Sequence, residues 1–327
     1  MSWLGTKSAL LLFEDFQSLS MHEKIEFYGW PGCIRLYNNE IELIVATDIG
    51  PRIVKFGFIS KQNLFYLDPQ QVGKTGGDAW RIYGGHRLWH APEAMPRSYH
   101  PDNERVEFTV SGGCIKLKQE RESTTGIVKE IEITLASDKN EVTVLHRLVN
   151  ENLWDIKLSV WALSMLAPGG RAIIPHEPYG TESDFLLPAR SLALWQFTKM
   201  NDPRWIWGEK YIQVKQDTLH RSDQKIGVTN KQRWAAYHLN EDLLIKSFDY
   251  YPRASYPDFG CNNEIFVNGD FLEIETLGPL TKLAPGEVVE HTERWLLATA
   301  TADEREESID SGIMPLVSAF LKTQVIS

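Results

Sequence analysis

Residues 271–297 read FLEIETLGPLTKLAPGEVVEHTERWLL. The opening residues alternate between apolar and charged, the period of a β-strand with two distinct faces. Gly278-Pro279 ends that run, and Val288 to Leu297 resumes it as a second strand. On the first strand Glu273 and Glu275 point to the same side. Two like charges on one face repel, and burial raises a carboxylate's pKa, which together tune one carboxylate as a base. The plainer reading is a wet face carrying two solvated glutamates. The apolar residues on either side weigh against it.

The same pattern extends outward in both directions. Upstream, Ile41 to Thr47, Ile53 to Ile59 and Asn63 to Leu67 are short strand-like runs parted by turn residues. Arg105 to Val110, Cys114 to Gln119, Lys129 to Leu135 and Glu141 to Val149 read as a meander. Lys157 to Leu166, Arg171 to Pro175, Arg190 to Phe197, Tyr211 to Lys215, Trp234 to His238, Leu243 to Phe248 and Glu264 to Asn268 complete the series. Helical signals are few: a weak periodicity over Ser8 to Ser18, and an apolar stripe of Ile309, Ile313, Leu316, Val317 and Phe320 within Thr301 to Thr323. The expectation is an all-β protein, a large two-sheet antiparallel β-sandwich with a C-terminal helix at about 301–323. No linker or repeat interrupts the chain, so 1–327 reads as a single domain with its core sandwich over about 34–298.

Composition narrows the function. The chain has 327 residues, with 34 Lys and Arg against 44 Asp and Glu, a net charge of −10. That balance argues against a nucleic-acid partner, which needs a basic face. Cys33, Cys114 and Cys261 are odd in number and far apart, which suggests neither a disulfide framework nor a cysteine metal site. No run approaches the ~20 apolar residues of a membrane helix, so a cytoplasmic protein without membrane contact is expected.

Four segments concentrate reactive side chains. Trp80 to Glu93 (WRIYGGHRLWHAPE) reads as a loop carrying Arg81, His86, Arg87, Trp89, His90 and Glu93. Tryptophan offers a flat face for a sugar's C–H groups, and Arg and His donate to its oxygens. His86 and His90 lie four apart, but the double glycine and Pro92 oppose the helix that a metal pair needs, so no metal is expected. Pro168 to Tyr179 ends a strand with His176 and Glu177, and histidine serves as a general acid near neutral pH. In Tyr256 to Glu264, Pro and Gly frame a loop that places Asp258, Asn263 and Glu264 within a few residues; a hydrogen-bonded turn explains it equally well. Glu273 and Glu275 form the fourth.

At these segments the chain resembles the galactose-mutarotase-like superfamily of aldose 1-epimerases and hexose-6-phosphate mutarotases. Phe271 to Leu297 carries most of the likeness, with Glu275-Thr276 where the family's strand holds its catalytic glutamate. Arg81 to Glu93 is similar to the Arg-Gly-Gly…Trp-Pro motif of the hexose-6-phosphate branch, with His90 in place of proline. Gly50 to Asp68 looks like the family's early strand pair. The resemblance spans about 34–298. It implies a pyranose in an open cleft, no cofactor, and a glutamate and histidine that open and reclose the sugar ring. The strand matching the one that bears the family's histidine, Lys157 to Leu166, has Trp161-Ala162-Leu163 and none.

The leading expectation is therefore an aldose 1-epimerase-like protein acting on a small-molecule sugar. Glu275 would be the base and His176 or His86 the acid. Arg81, Arg87, Trp89, His90, Glu93, Asp258, Asn263 and Glu264 would bind substrate. The alternatives are a carbohydrate binder without catalysis, or a lyase or hydrolase pairing Glu275 with Glu264 or Glu177. Oligomeric state is left open.

Overall fold

Alternation decides what each strand packs on. In Leu272–Leu277, Leu272 and Ile274 enter the main hydrophobic core, while Leu277 joins Trp89, Ala91, Trp161 and Leu163 in a separate cluster on the opposite face. Each apolar side chain removed from water in this way contributes about 1.5–3 kcal/mol. Asn268 sets the turn into this strand, its Oδ1 accepting the backbone N–H groups of Asp270 (2.8 Å) and Phe271 (3.0 Å).

A computed structural model describes residues 21–323; the periodicity over Ser8–Ser18 lies outside them. Among the described residues the strands form two antiparallel sheets, one of eleven strands and one of ten. The larger runs, in spatial order, Met21–Phe27, Trp30–Tyr37, Ile41–Ala46, Arg52–Phe58, His86–Ala91, Ile156–Leu166, Leu272–Leu277, Asn263–Val267, Gln224–Val228 and Leu192–Leu194, with Thr281–Leu283 paired off Ile156–Leu166. The smaller runs Trp205–Trp207, Tyr211–Lys215, Arg171–Pro175, Trp234–Leu239, Asp242–Phe248, Val288–Thr299, Glu141–Asn150, Ile127–Leu135, Cys114–Lys118 and Glu107–Ser111. The two inner faces share one apolar core. No helix of the described residues is long and apolar enough to cross a membrane.

The C-terminal stripe buries Ile309, Ile313, Val317 and Phe320 against Ile173, Trp234 and Leu243, on the outer face of the ten-stranded sheet. It forms two helices, Glu306–Gly312 and Met314–Lys322, rather than the one expected. Pro315 lies in the second helix's first turn. Its missing N–H and its ring prevent continuation from the preceding turn.

A second departure matters more. Trp80 to Glu93 is not all loop, because His86–Ala91 is a central strand between Arg52–Phe58 and Ile156–Leu166. Gly84 and Gly85 punctuate its entry. Gly84 has φ +101° and bridges Leu67, and a Cβ there would overlap the Tyr66 carbonyl oxygen. Gly84→Ala is expected to lower stability by about 1–3 kcal/mol through overpacking and backbone strain. An unchanged urea midpoint would contradict that close approach.

Between the sheets lies a polar network in which Lys246 and Glu293 are fully buried. Lys246 Nζ donates to Ser164 Oγ (2.9 Å) and contacts Glu293 Oε1 (2.8 Å). Glu293 also accepts from Thr276 Oγ1 (2.5 Å) and Trp295 Nε1 (2.8 Å). His86 joins Ser164 through Nδ1 (2.8 Å) and His146 through Nε2 (2.7 Å), and His146 Nδ1 reaches the His291 carbonyl (3.0 Å). Burial holds His86 and His146 below the usual imidazole pKa, so both are neutral. The carbonyl then requires the His146 proton on Nδ1, His86 must donate from Nε2, and Ser164 donates to His86 Nδ1. His86, His146 and Glu293 place ligand atoms within 4.8 Å of one another. The adjacent Lys246 ammonium already supplies the positive charge that Glu293 requires.

Candidate functional site

The outer face of the eleven-stranded sheet holds a cleft of about 300 Å³ over its central strands. Register explains its contents. Leu163 pairs with Arg87 on one side and Glu275 on the other, and Trp161 pairs with Trp89 and Leu277. Beyond Glu275, Glu264 lies opposite it, and Lys225 opposite Phe266. Side chains of one face are thus drawn from five neighbouring strands.

An aromatic group forms one wall. Trp89 meets Tyr99 (5.0 Å), Trp161 (5.3 Å) and Trp80 (6.0 Å) between ring centroids. The Arg87 guanidinium lies over the Trp89 ring at 4.4 Å and the Trp80 ring at 5.5 Å. Trp195 stands on the other side, its ring 4.8 Å from Lys225 Nζ. Such rings bury apolar area and attract cations. Tyr99 Oη donates to Glu93 at the rim, and burial followed by that carboxylate raises its pKa to about 12.

The floor is ionic. Glu275 is fully buried, and its Oε2 accepts from Trp161 Nε1 and Lys225 Nζ, both at 2.8 Å. Lys225 also contacts Glu264 Oε2 at 2.9 Å. Burial opposes the Lys225 charge, but Glu264 and Glu275 outweigh it and raise its pKa. Glu275 Oε1 has no hydrogen-bond partner among the described residues. Burial pushes the Glu264 carboxyl well above its usual range, against the pull of Lys225. Burial also raises Glu273 to about 7, with Arg87 lowering it and Glu275 raising it. Arg87 Nη2 stands 3.5 Å from Glu273 Oε1, while its buried Nε and Nη1 have no partner among the described residues. The floor thus offers unused donors and an unused acceptor together. A hydroxyl, which both donates and accepts, satisfies either kind.

The raised Glu273 pKa makes stability depend on pH. The folded state holds this proton more tightly than the unfolded chain does between pH 4.5 and about 7. Folding stability from this group therefore falls as pH rises through that window, by up to about 3 kcal/mol. Wild-type stability measured relative to Glu273→Gln is expected to decline from pH 4.5 to about 7. A flat difference would mean that Glu273 titrates normally.

Of the residues singled out in the sequence, Arg87, Trp89, Glu93 and Glu275 line this cleft. Glu264 lies beneath it through Lys225. Asp258 is raised in pKa by burial, with Glu264 and Lys225 acting the other way. Asn263 is buried and serves the backbone, its Nδ2 donating to the Glu275 carbonyl at 2.9 Å. Arg81 braces a loop, donating to Gly76 O (2.6 Å) and Tyr83 Oη (2.9 Å).

The expected histidine acids lie elsewhere. His86 faces the sandwich interior, because it alternates with Arg87 on the same strand. His90 points the same way, with Arg97 Nη1 3.1 Å from its Nδ1 and Glu122 Oε2 3.5 Å from its Nε2. His176 follows a strand of the other sheet, where its backbone N–H donates to the Lys210 carbonyl at 2.7 Å. Glu177 sits beside it, its carbonyl held by Arg190. None of the nine histidines lines the cleft.

Lys225 escaped the sequence reading. In QKIGV it looks like the wet position of a strand, and its partner Glu275 is fifty residues away. Trp195, Phe197 and Asp223 also line the cleft without a local signal.

No family model matches this chain, and no curated protein matches it. Solved structures do. A TPR-domain containing protein from Parabacteroides distasonis superposes with a TM-score of 0.56 at 15% identity, over 83% of this chain and 48% of that one. This chain therefore spans about half of that protein's length. A galactose mutarotase-like protein from Lactobacillus casei gives 0.54 at 9% identity, over 82% of this chain and 100% of that one. Another from Clostridium acetobutylicum gives 0.51 at 11%, over 86% and 99%.

Proposed function

We propose, for a chain with the galactose mutarotase-like fold, that the outer-face cleft binds a free aldose and interconverts its anomers. One observation carries the reading. Glu275 is pinned through Oε2 by Trp161 and Lys225, while its buried Oε1 has no partner among the described residues on the floor of an aromatic cleft. A fixed carboxylate with a free lone pair is what a general base needs.

In this mechanism Glu275 Oε1 takes the proton of the anomeric hydroxyl. The ring C–O bond breaks as the carbonyl forms, and the ring oxygen receives a proton. Glu273 supplies it, because a carboxyl with a pKa near 7 holds a proton part of the time and can take it back. Rotation about the C1–C2 bond and the reverse transfers give the other anomer. Lys225 and Trp161 hold Glu275 in place, and Arg87 and the tryptophans hold the ring.

A second reading, binding without catalysis, is favoured by Leu163, which stands opposite Glu275 where a histidine could have served. Exchange NMR with a panel of free aldoses separates the two. Accelerated interconversion supports the enzyme. Binding without acceleration supports the second reading, and no binding by any aldose removes both.

A further inference from the structure

The charge of the cleft is unbalanced. Glu93, Asp223 and Glu275 line it, with Glu273 ionised part of the time, against Arg87 and Lys225 as its only lining cations among the described residues. Lys225 is already shared between Glu275 and Glu264. Arg87 approaches Glu273 no closer than 3.5 Å. Burial favours the neutral form of the Glu264 and Asp258 carboxyls just beneath the floor, so the surplus is that of the lining groups. Such a surplus of acid in a partly desolvated site repels anions and attracts cations more strongly than it would in water.

The surplus is not arranged for a metal. No three of these carboxyls bring ligand oxygens within 4.8 Å of one another among the described residues; the set that does lies between the sheets. The negative charge is spread along a cleft with tryptophan and tyrosine walls. Aromatic faces and dispersed carboxylates together suit an organic ammonium. The unpartnered Oε1 of Glu275, on a side chain with no exposed surface among the described residues, is an acceptor for it.

We infer that the preferred ligand is an aldose bearing a free amino group, taken over its neutral and anionic counterparts. The inference rests on the reading of this cleft as a sugar site. The ammonium offsets the acidic surplus, while its hydroxyls meet the unused donors of Arg87.

Calorimetric titration of the full chain tests it. Glucosamine, galactosamine and mannosamine are each compared with the parent hexose and the N-acetyl derivative, alongside glucose 6-phosphate. At least one free amine is expected to bind about tenfold more tightly than its parent and its N-acetyl form at low salt. That advantage should shrink as salt rises, and the phosphate should bind more weakly than glucose. If parent hexoses bind as well as the amines, or the phosphate binds better than glucose, the amino-sugar preference is overturned and the sugar site stands. If no sugar binds, the sugar site itself falls and takes the preference with it.

Discussion

Lys246→Met should destabilise the protein by about 3–5 kcal/mol, the cost of leaving a buried charge without its partner. Lys246 and Glu293 are both fully buried, 2.8 Å apart. Burial opposes ionisation of Glu293, yet Lys246 and its other neighbours hold its pKa well below the usual range. Methionine fills much the same volume, so the loss reports charge rather than a cavity. Thr276 and Trp295 still donate to Glu293 but cannot neutralise it. Adding Glu293→Gln to Lys246→Met should restore part of the stability, because an amide keeps hydrogen bonds without the charge. Urea unfolding of the two single variants and the double variant measures this. A loss below about 1 kcal/mol for Lys246→Met would contradict a charged pair at the centre of the sandwich.

Glu275→Gln is the second large effect, and it falls on rate. If Glu275 is the base, anomer interconversion should drop about 10²–10⁴-fold, the usual share of a positioned general base. Glutamine retains an oxygen for Trp161 Nε1 and Lys225 Nζ, so the cleft keeps its shape. Sugar affinity should therefore change far less than rate. Loss of both together would point to a collapsed site rather than a missing base. Retained acceleration would remove Glu275 from the mechanism.

The strands were legible where apolar and charged residues alternate. Phe271 to Leu277 and Val288 to Leu297 fall where alternation puts them, as strands Leu272–Leu277 and Val288–Thr299. That alternation also placed Glu273 and Glu275 on one side, where both line the cleft. His86–Ala91 defeated the same reading because its sequence HRLWHA does not alternate apolar with charged residues. Flanking Gly-Gly and Pro then made it look like a loop. With the strand unrecognised, its two histidines could not be separated from Arg87 and Trp89. Met21–Phe27 and Trp30–Tyr37 were also unread as strands, and Asn63–Leu67 makes only single bridges among the described residues. Lys225 was invisible for a different reason. An ion pair across sheet neighbours is a property of register, which no local window contains.

The central strands of the larger sheet divide their residues by parity. Arg87, Trp89, Trp161, Leu163, Glu273 and Glu275 line the cleft, while Leu88, Val160, Leu272 and Ile274 build the core. Natural variation can therefore rewrite every second residue on these strands, exchanging one ligand chemistry for another, while the intervening residues go on specifying the same sandwich.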